Sequence, residues 1–373
     1  MKRYIPIIVF SVIFLLGAYL RLYRISDYMG FLGDEGRDAL VVKRMIVDHE
    51  FTLLGPITSV GLMHLGPAYY YFMVPFLWAW NLDPVGPAIM VAFFSLATMM
   101  LIWGLAREFF STRVAIIATF FYAISPLVIV HSHSSWNPNV LPFWSLLIIY
   151  GLLKVVVKHD YKWICVVGAS LGIALQLHYV ALVFIPIVVA TLGLIRWKLP
   201  WKYWLGVVGS GIITYSPFIL FELRHQFINS LTVWQFVTRG GDAKTFGLLY
   251  VTNKIWDLVV RLFWRLVVIE NAEISILFLG LISITLIWLL FQTEKNIFYK
   301  KALKVLLTWL AIGIGVLAFY TGTIYDYYLM FAFPLPFILL GIVGSYFLKF
   351  PITKWLVILI IVLLALVIVL LLL

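Results

Sequence analysis

The sequence predicts an all-α protein that crosses a membrane repeatedly, with about eleven transmembrane helices and interfacial helices in the first and fourth outer loops. Three observations lead there. Apolar residues make up 64% of the 373 positions and charged residues only 12%, and the mean hydropathy of +1.06 lies far outside the range of an ordinary soluble domain. Apolar runs of roughly 17–22 residues, long enough to span a hydrocarbon core, recur along the whole chain. Lysines and arginines gather in the short segments between alternate runs, so the net charge of +11 reads as a positive-inside pattern rather than a nucleic-acid surface. The single cysteine, Cys165, sits in an apolar run, which excludes a disulfide framework or a cysteine metal site within one chain.

The first run, 5–22, follows Met1-Lys2-Arg3. No A-x-A-like cleavage site comes after it, and Arg21 and Arg24 stand at its far end, so it reads as an uncleaved first span. Further spans are expected over 85–106, 114–131, 140–157, 163–178, 179–195, 203–221, 274–291, 304–320, 329–347 and 355–373. Segment 66–80 is about 15 residues long, short for a crossing, and is broken by Pro75. If it crossed, every later basic loop would lie opposite Lys2 and Arg3. If it lies in the outer interface, the loops at 107–113, 154–162, 196–202, 295–304 and 349–354 join Lys2 and Arg3 inside, with only Glu108, Asp160 and Glu294 as acids. The positive-inside rule selects the second arrangement. The turn between 163–178 and 179–195 is expected near Gln176-Leu177-His178-Tyr179.

This topology makes 1–373 one transmembrane domain with two long outer loops, 23–84 and 222–273. Each loop carries an amphipathic helix. Arg37, Arg44 and Asp48 form one stripe within 37–49. Lys254, Asp257, Arg261 and Arg265 form another within 251–269, with Trp256, Phe263 and Trp264 on the remaining surface. That pattern suits helices lying in the headgroup plane. The almost pure Leu, Ile and Val run 355–373 reads as a terminal anchor.

The same topology collects the polar side chains on the outer face: Asp34, Glu35, Arg37, His64, His131, His133, Trp136, Asn137, Asn139, His178, Tyr179, Glu222, Arg224, His225, Asp326, Tyr327 and Tyr328. The knot Gly33-Asp34-Glu35-Gly36-Arg37-Asp38 points to acid–base chemistry at a membrane surface, where carboxylates are costly to keep. Plainer readings stand beside these. Asp34-Glu35 suits a solvated loop, and Arg37 an ion-pair partner for Asp34. His64 suits a structural interfacial role, Tyr69-Tyr70-Tyr71 an interface belt, Trp136-Asn137-Pro138-Asn139 a turn, and Glu222-Leu223-Arg224-His225 an interfacial cap. His131 and His133, two apart, do not share a helix face, which disfavours a metal pair.

Taken in order, the Asp34-Glu35 pair, His64-x-x-Pro67 before an aromatic-rich helix, Ser125-Pro126, Trp136-Asn137-Pro138-Asn139, Gln176-Leu177-His178-Tyr179, Ser216-Pro217 through Glu222-Leu223-Arg224-His225, and Tyr325-Asp326-Tyr327-Tyr328 resemble the GT-C class of membrane glycosyltransferases. The nearest group is the dolichyl-phosphate-mannose-protein mannosyltransferase-like family, which also contains the lipid A aminoarabinose transferases. The resemblance implies a polyprenyl-phosphate sugar donor and inversion at the anomeric carbon. It implies Asp34 as general base, with Glu35 orienting the acceptor or Arg37. It implies His64, Arg224, His225 and Arg37 around the leaving phosphate, and Asn139, His178, Tyr179, Glu222, Asp326 and Tyr327 lining the sugar or acceptor pocket. Many relatives carry Asp where this chain has Asn139, which cannot act as a base. The expected partners are the lipid-linked donor, a protein, lipid or glycan acceptor, and membrane lipids, without nucleic acid. No obligatory metal is expected, because no outer Asp/His cluster has ligand spacing; a divalent ion stays open. The expected location is the plasma membrane, N-terminus in the cytoplasm and active site outside. The rival classes are a secondary transporter, a polymerase or ligase using a diphosphate-linked donor, and a non-enzymatic scaffold. Transporters favour midplane ionisable residues and paired interrupted helices, and no acid falls mid-span here.

Overall fold

A computed structural model of the chain describes residues 4–58, 63–195, 199–239, 247–268, 271–292, 296–351, 353–355 and 362. Its helices are α1 (Ile5–Leu22), α2 (Ile25–Tyr28), α3 (Gly33–Val47), α4 (Ala68–Ala79), α5 (Val85–Phe109), α6 (Thr112–Ile124), α7 (Pro126–Ser132), α8 (Leu141–Lys158), α9 (Trp163–Leu177), α10 (Phe184–Gly193), α11 (Trp201–Arg224), α12 (Ile228–Arg239), α13 (Leu248–Phe263), α14 (Ala272–Phe291), α15 (Ile297–Ala318) and α16 (Pro334–Phe347). Short 3-10 turns cover Asn137–Val140, Tyr179–Val183 and Asp326–Ala332. Among the described residues the sole β-pairing is an isolated bridge between Ile57 and His64.

Six helices are long and apolar enough to cross a membrane: α1, α5, α8 with its leading turn, α11, α14 and α15. Two bent pairs raise this to eight, α6 with α7 (61°) and Asp326–Ala332 with α16 (55°). The stretches Trp163–Leu177 and Tyr179–Gly193 are apolar but shorter. The described residues therefore give six to eight spans by length and composition, not a count of eleven. The expected span 355–373 lies outside the described residues except for Trp355 and Val362.

Small residues decide where helices touch. A Cβ on Gly168 would meet the Val207 carbonyl oxygen at 2.1 Å, and one on Gly172 the Gly211 carbonyl oxygen at 2.6 Å, so α9 and α11 approach backbone to backbone. Likewise a Cβ on Gly341 would meet the Val114 carbonyl oxygen at 2.6 Å, seating α16 on α6.

The α6–α7 bend has a specific cause. Pro126 has no N–H to offer the Tyr122 carbonyl four residues earlier. Arg21, fully buried at the end of α1, supplies the donors instead. Its Nη2 donates to Tyr122 O (3.1 Å), its Nη1 to Ala123 O (2.8 Å) and its Nε to Ser95 Oγ (2.8 Å). A helix break in an apolar surrounding persists only when neighbours satisfy the freed carbonyls.

Segment 66–80 forms α4, packed against α3, α5 and α9. Its tyrosines do not form the belt expected of them. Tyr69 and Tyr70 are buried, and all three hydroxyls bind protein: Tyr69 shares a hydrogen bond with Ser135 Oγ (2.8 Å), Tyr70 donates to Asp38 Oδ1 (3.0 Å) and Tyr71 to Thr52 O (2.8 Å). A phenol in an apolar contact surface needs such a partner, and α3, the loop after it and the loop after α7 supply them.

Candidate active site

The site starts at the first turn of α3. Leu32 is extended, and the helix begins at Gly33, four residues earlier than the 37–49 stripe implied. Glu35 therefore falls at the third helical position. Its Oε2 accepts the Leu32 N–H (3.1 Å), half of a capping box. Its Oε1 accepts Ser134 Oγ–H (2.8 Å), tying α3 to the 134–139 loop. Glu35 is buried with both oxygens engaged.

Asp34 does the opposite. Its side chain is 53% exposed, and its Oδ1 accepts Arg37 Nη1–H at 2.9 Å. Arg37 turns its other edge to Asp38: Nε and Nη2 lie 2.9 and 2.8 Å from Asp38 Oδ1. Asp38 is fully buried and also receives the Tyr70 hydroxyl. Burial pushes the Asp38 carboxyl up to about 6, against the pull of Arg37 and Tyr70.

Asp34 lies within electrostatic reach of the Tyr327 hydroxyl. Tyr327 belongs to an aromatic group with Trp136 (4.7 Å between ring centres), His178 (5.7 Å), Tyr328 (4.7 Å) and Tyr325 (5.6 Å, nearly parallel). His178 breaks the chain between α9 and Tyr179, as expected of that turn. Its Nδ1 accepts the Val180 N–H (3.0 Å), which leaves the ring proton on Nε2. Asn139 donates to Ser134 O (2.9 Å) and, with His131, Ser95 and Tyr122, lines a cavity of about 10 Å³, room for one water.

A second polar group lies around His64. Gly55 and Pro56 pair with Leu65, Gly55 N–H donating to Leu65 O (2.8 Å) and Leu65 N–H to Pro56 O (2.9 Å). Asn229, buried at the start of α12, accepts the His64 N–H (2.6 Å) and donates to His64 O and to the Tyr179 hydroxyl (3.0 Å each). The Tyr179 hydroxyl in turn donates to His64 O (2.6 Å). Glu222 caps α12, accepting Asn229 N–H (3.2 Å) and Ser230 N–H (2.7 Å). Arg224 and His225 are exposed at the end of α11. His225 Nδ1 pairs with Phe221 O (2.8 Å) and its ring stacks on Phe221.

The basic stripe of α13 has a protein partner. Lys254 Nζ donates to Tyr320 O, Arg261 Nη1 to Ile324 O (2.8 Å), and Arg265 Nε to Asp326 Oδ2 (2.9 Å). Two cations of α13 and one of the π-helical turn Trp264–Val268 that follows it thus hold the loop that presents Tyr325 to Tyr328.

The structure therefore joins Asp34, Arg37 and Asp38 at the start of α3, with the Tyr327 hydroxyl in electrostatic reach of Asp34, and His64, Tyr179 and Glu222 in a separate network. Among the described residues no side-chain hydrogen bond or ion pair links Arg224 or His225 to either group. Ser134 and Asn229 were not singled out by the sequence reading, and Asp38, Tyr70 and Arg265 entered it only as members of the 33–38 knot, the tyrosine run and the 251–269 stripe. Only Asp38, four residues after Asp34 on a helix, carried a local signal. Among the described residues, no three His, Cys, Asp or Glu side chains stand close enough to hold a metal ion.

Residues 81–221 match the family model described as dolichyl-phosphate-mannose-protein mannosyltransferase. Solved structures align over nearly all of the chain. ArnT from Cupriavidus metallidurans, bound to undecaprenyl phosphate, superposes with a TM-score of 0.62 at 16% identity over 91% of this chain and 60% of its own. The Archaeoglobus fulgidus oligosaccharyltransferase, in complex with Zn and sulfate, gives 0.61 at 13% identity over 96% of this chain and 52% of its own. The chain has the GT-C fold. The archaeal oligosaccharyltransferase AglB, with an inhibitory peptide and a dolichol-phosphate, shares that GT-C fold with a TM-score of 0.59 at 13% identity over 93% of this chain. This chain spans between 51% and 60% of the length of these structures. No curated protein matches it in sequence.

Proposed function

We propose that the protein is a membrane glycosyltransferase that moves a sugar from a polyprenyl-phosphate donor to an acceptor hydroxyl, with inversion, on the extracytoplasmic face. The observation that carries this reading is Asp34: an exposed carboxylate with one oxygen held by Arg37 and with Oδ2 making no hydrogen bond among the described residues. An acceptor oxygen forms the new bond to the anomeric carbon while the bond from that carbon to the phosphate oxygen breaks. The acceptor proton passes to Asp34, and the phosphate leaves with the electron pair. Arg37, half exposed, keeps N–H groups free to meet the charge that grows on the phosphate. His64 stands as the second phosphate contact and Tyr327 as a wall of the sugar or acceptor pocket. Glu35, with both oxygens engaged, holds the catalytic turn. The ligands bound in the structural neighbours, undecaprenyl phosphate and dolichol-phosphate, support the donor class.

Purified protein incubated with a panel of polyprenyl-phosphate sugars is expected to release free polyprenyl phosphate and a glycosylated product, read by mass spectrometry. Asp34→Asn should lower turnover by about 100- to 10,000-fold, the usual worth of a positioned base. Unchanged turnover in that variant would remove Asp34 from the role.

A further inference from the structure

We infer that Asp38 is a positioning residue that keeps Arg37 from quenching Asp34. This rests on the reading of Asp34 as base. An arginine beside a solvent-exposed carboxylate tends to take it bidentately, engaging both of its oxygens. Arg37 does not: Nε and Nη2 both point at Asp38 Oδ1, and only Nη1 reaches Asp34, on Oδ1 alone. The buried carboxylate thus competes for the guanidinium and leaves Asp34 Oδ2 open toward the acceptor. Asp38 is itself fixed from α4, where the buried Tyr70 donates to the same oxygen that Arg37 uses. Its second oxygen, Oδ2, is buried without a hydrogen-bond partner. A fold keeps such a costly group only where the geometry it enforces matters.

The charged and titratable groups facing Asp38 are Arg37 and Asp34 on its own helix and Tyr70 and Tyr69 on α4. Arg37 is the one cation among them. Losing the Asp38 charge therefore leaves Asp34 as the anion nearest to that guanidinium. The released fork would close on Asp34, stabilise its ionised form and make it a weaker base.

The test is a double-mutant cycle on kcat/KM with the donor panel. Asp38→Asn should lower kcat/KM by about tenfold or more, roughly 1.4 kcal/mol of barrier or above. It should also move the acid limb of the pH profile to lower pH. In an Arg37→Gln background the same change should cost nothing further, because Asp38 acts only through Arg37. Equal costs in both backgrounds, or an unmoved acid limb, overturn the inference. Should Asp38→Asn fail to fold, Tyr70→Phe removes one of the groups fixing Asp38 and should shift the limb the same way, by less; a wild-type profile there overturns it. A structure of Asp38→Asn gives a readout free of activity: Arg37 moves onto both oxygens of Asp34, and an unmoved Arg37 sinks the idea. Wild-type turnover by Asp34→Asn removes the base and this inference together. An inactive Asp34→Asn beside a wild-type-like Asp38→Asn removes this inference alone.

Discussion

Three carboxylates within one turn and a half of helix have three different situations. Glu35 is consumed by a backbone N–H and a serine, Asp38 by an arginine and a tyrosine, and Asp34 is left to solvent. Asp38 carries a stability signature that can be read without turnover. Its carboxyl is raised in the fold from 3.8 to about 6, so between those values the folded chain holds a proton that the unfolded chain has released. Its contribution to stability is therefore fully present below pH 3.8 and declines as pH rises through about 6. Asp38→Asn removes that dependence. The melting temperature of the variant relative to wild type should climb from pH 4 to pH 7, measured in one detergent and buffer series; a flat difference would contradict the raised carboxyl. A second residue-scale expectation concerns Asn229. Its replacement by alanine leaves both backbone groups of His64 without their Asn229 partner. It should raise KM for the lipid-linked donor more than it lowers kcat, if His64 meets the phosphate as proposed.

The elements test the packing. Gly168→Ala puts a methyl against the Val207 carbonyl and should destabilise by about 1–3 kcal/mol, the usual cost of overpacking. Gly104→Ala, in the C-terminal part of α5 with nothing within 4 Å of the new carbon, should be neutral or stabilise by up to about 1 kcal/mol through helix propensity. Thermal unfolding of the two variants side by side decides it. In the turn that follows α13, Arg265→Asp should loosen the 320–326 loop, and adding Asp326→Arg should restore part of the loss. The loss is expected to be modest, about 0.2–1 kcal/mol, because both side chains are partly exposed. The stripe on α13 was legible from helical spacing, but its partner was not. Spacing shows which residues share a face, whereas the 61 positions separating Arg265 from Asp326 leave no local trace. The same holds for Asn229 and His64, 165 positions apart. By contrast the knot at 33–38 was visible because its members are sequence neighbours. The division of labour within it became clear only once the helix start at Gly33 put Glu35 in the capping position.

At the scale of the whole molecule, hydropathy and order of turns were enough to reach the fold, since both survive without any knowledge of contacts. Orientation is a separate matter and has its own test. In a Cys165→Ser background, Asp48→Cys should react with an impermeant thiol reagent in intact cells, and Lys158→Cys only after permeabilisation. The reverse pattern would turn the molecule over and remove the extracytoplasmic site. The buried guanidinium of Arg21 reaches further than its place at the edge of the bundle implies. It stands in for a backbone amide that Pro126 lacks, 102 positions from the Ala123 oxygen it also holds. His131 to Asn139 hang from that corner, so this stretch takes its direction from a foreign helix. Lysine there would offer one compact charge in place of a flat fork and leave a carbonyl naked in hydrocarbon. Neither piece is at ease in lipid by itself: α1 shelters its charge only once α6 is beside it, and α6 tolerates its corner only once α1 is in place.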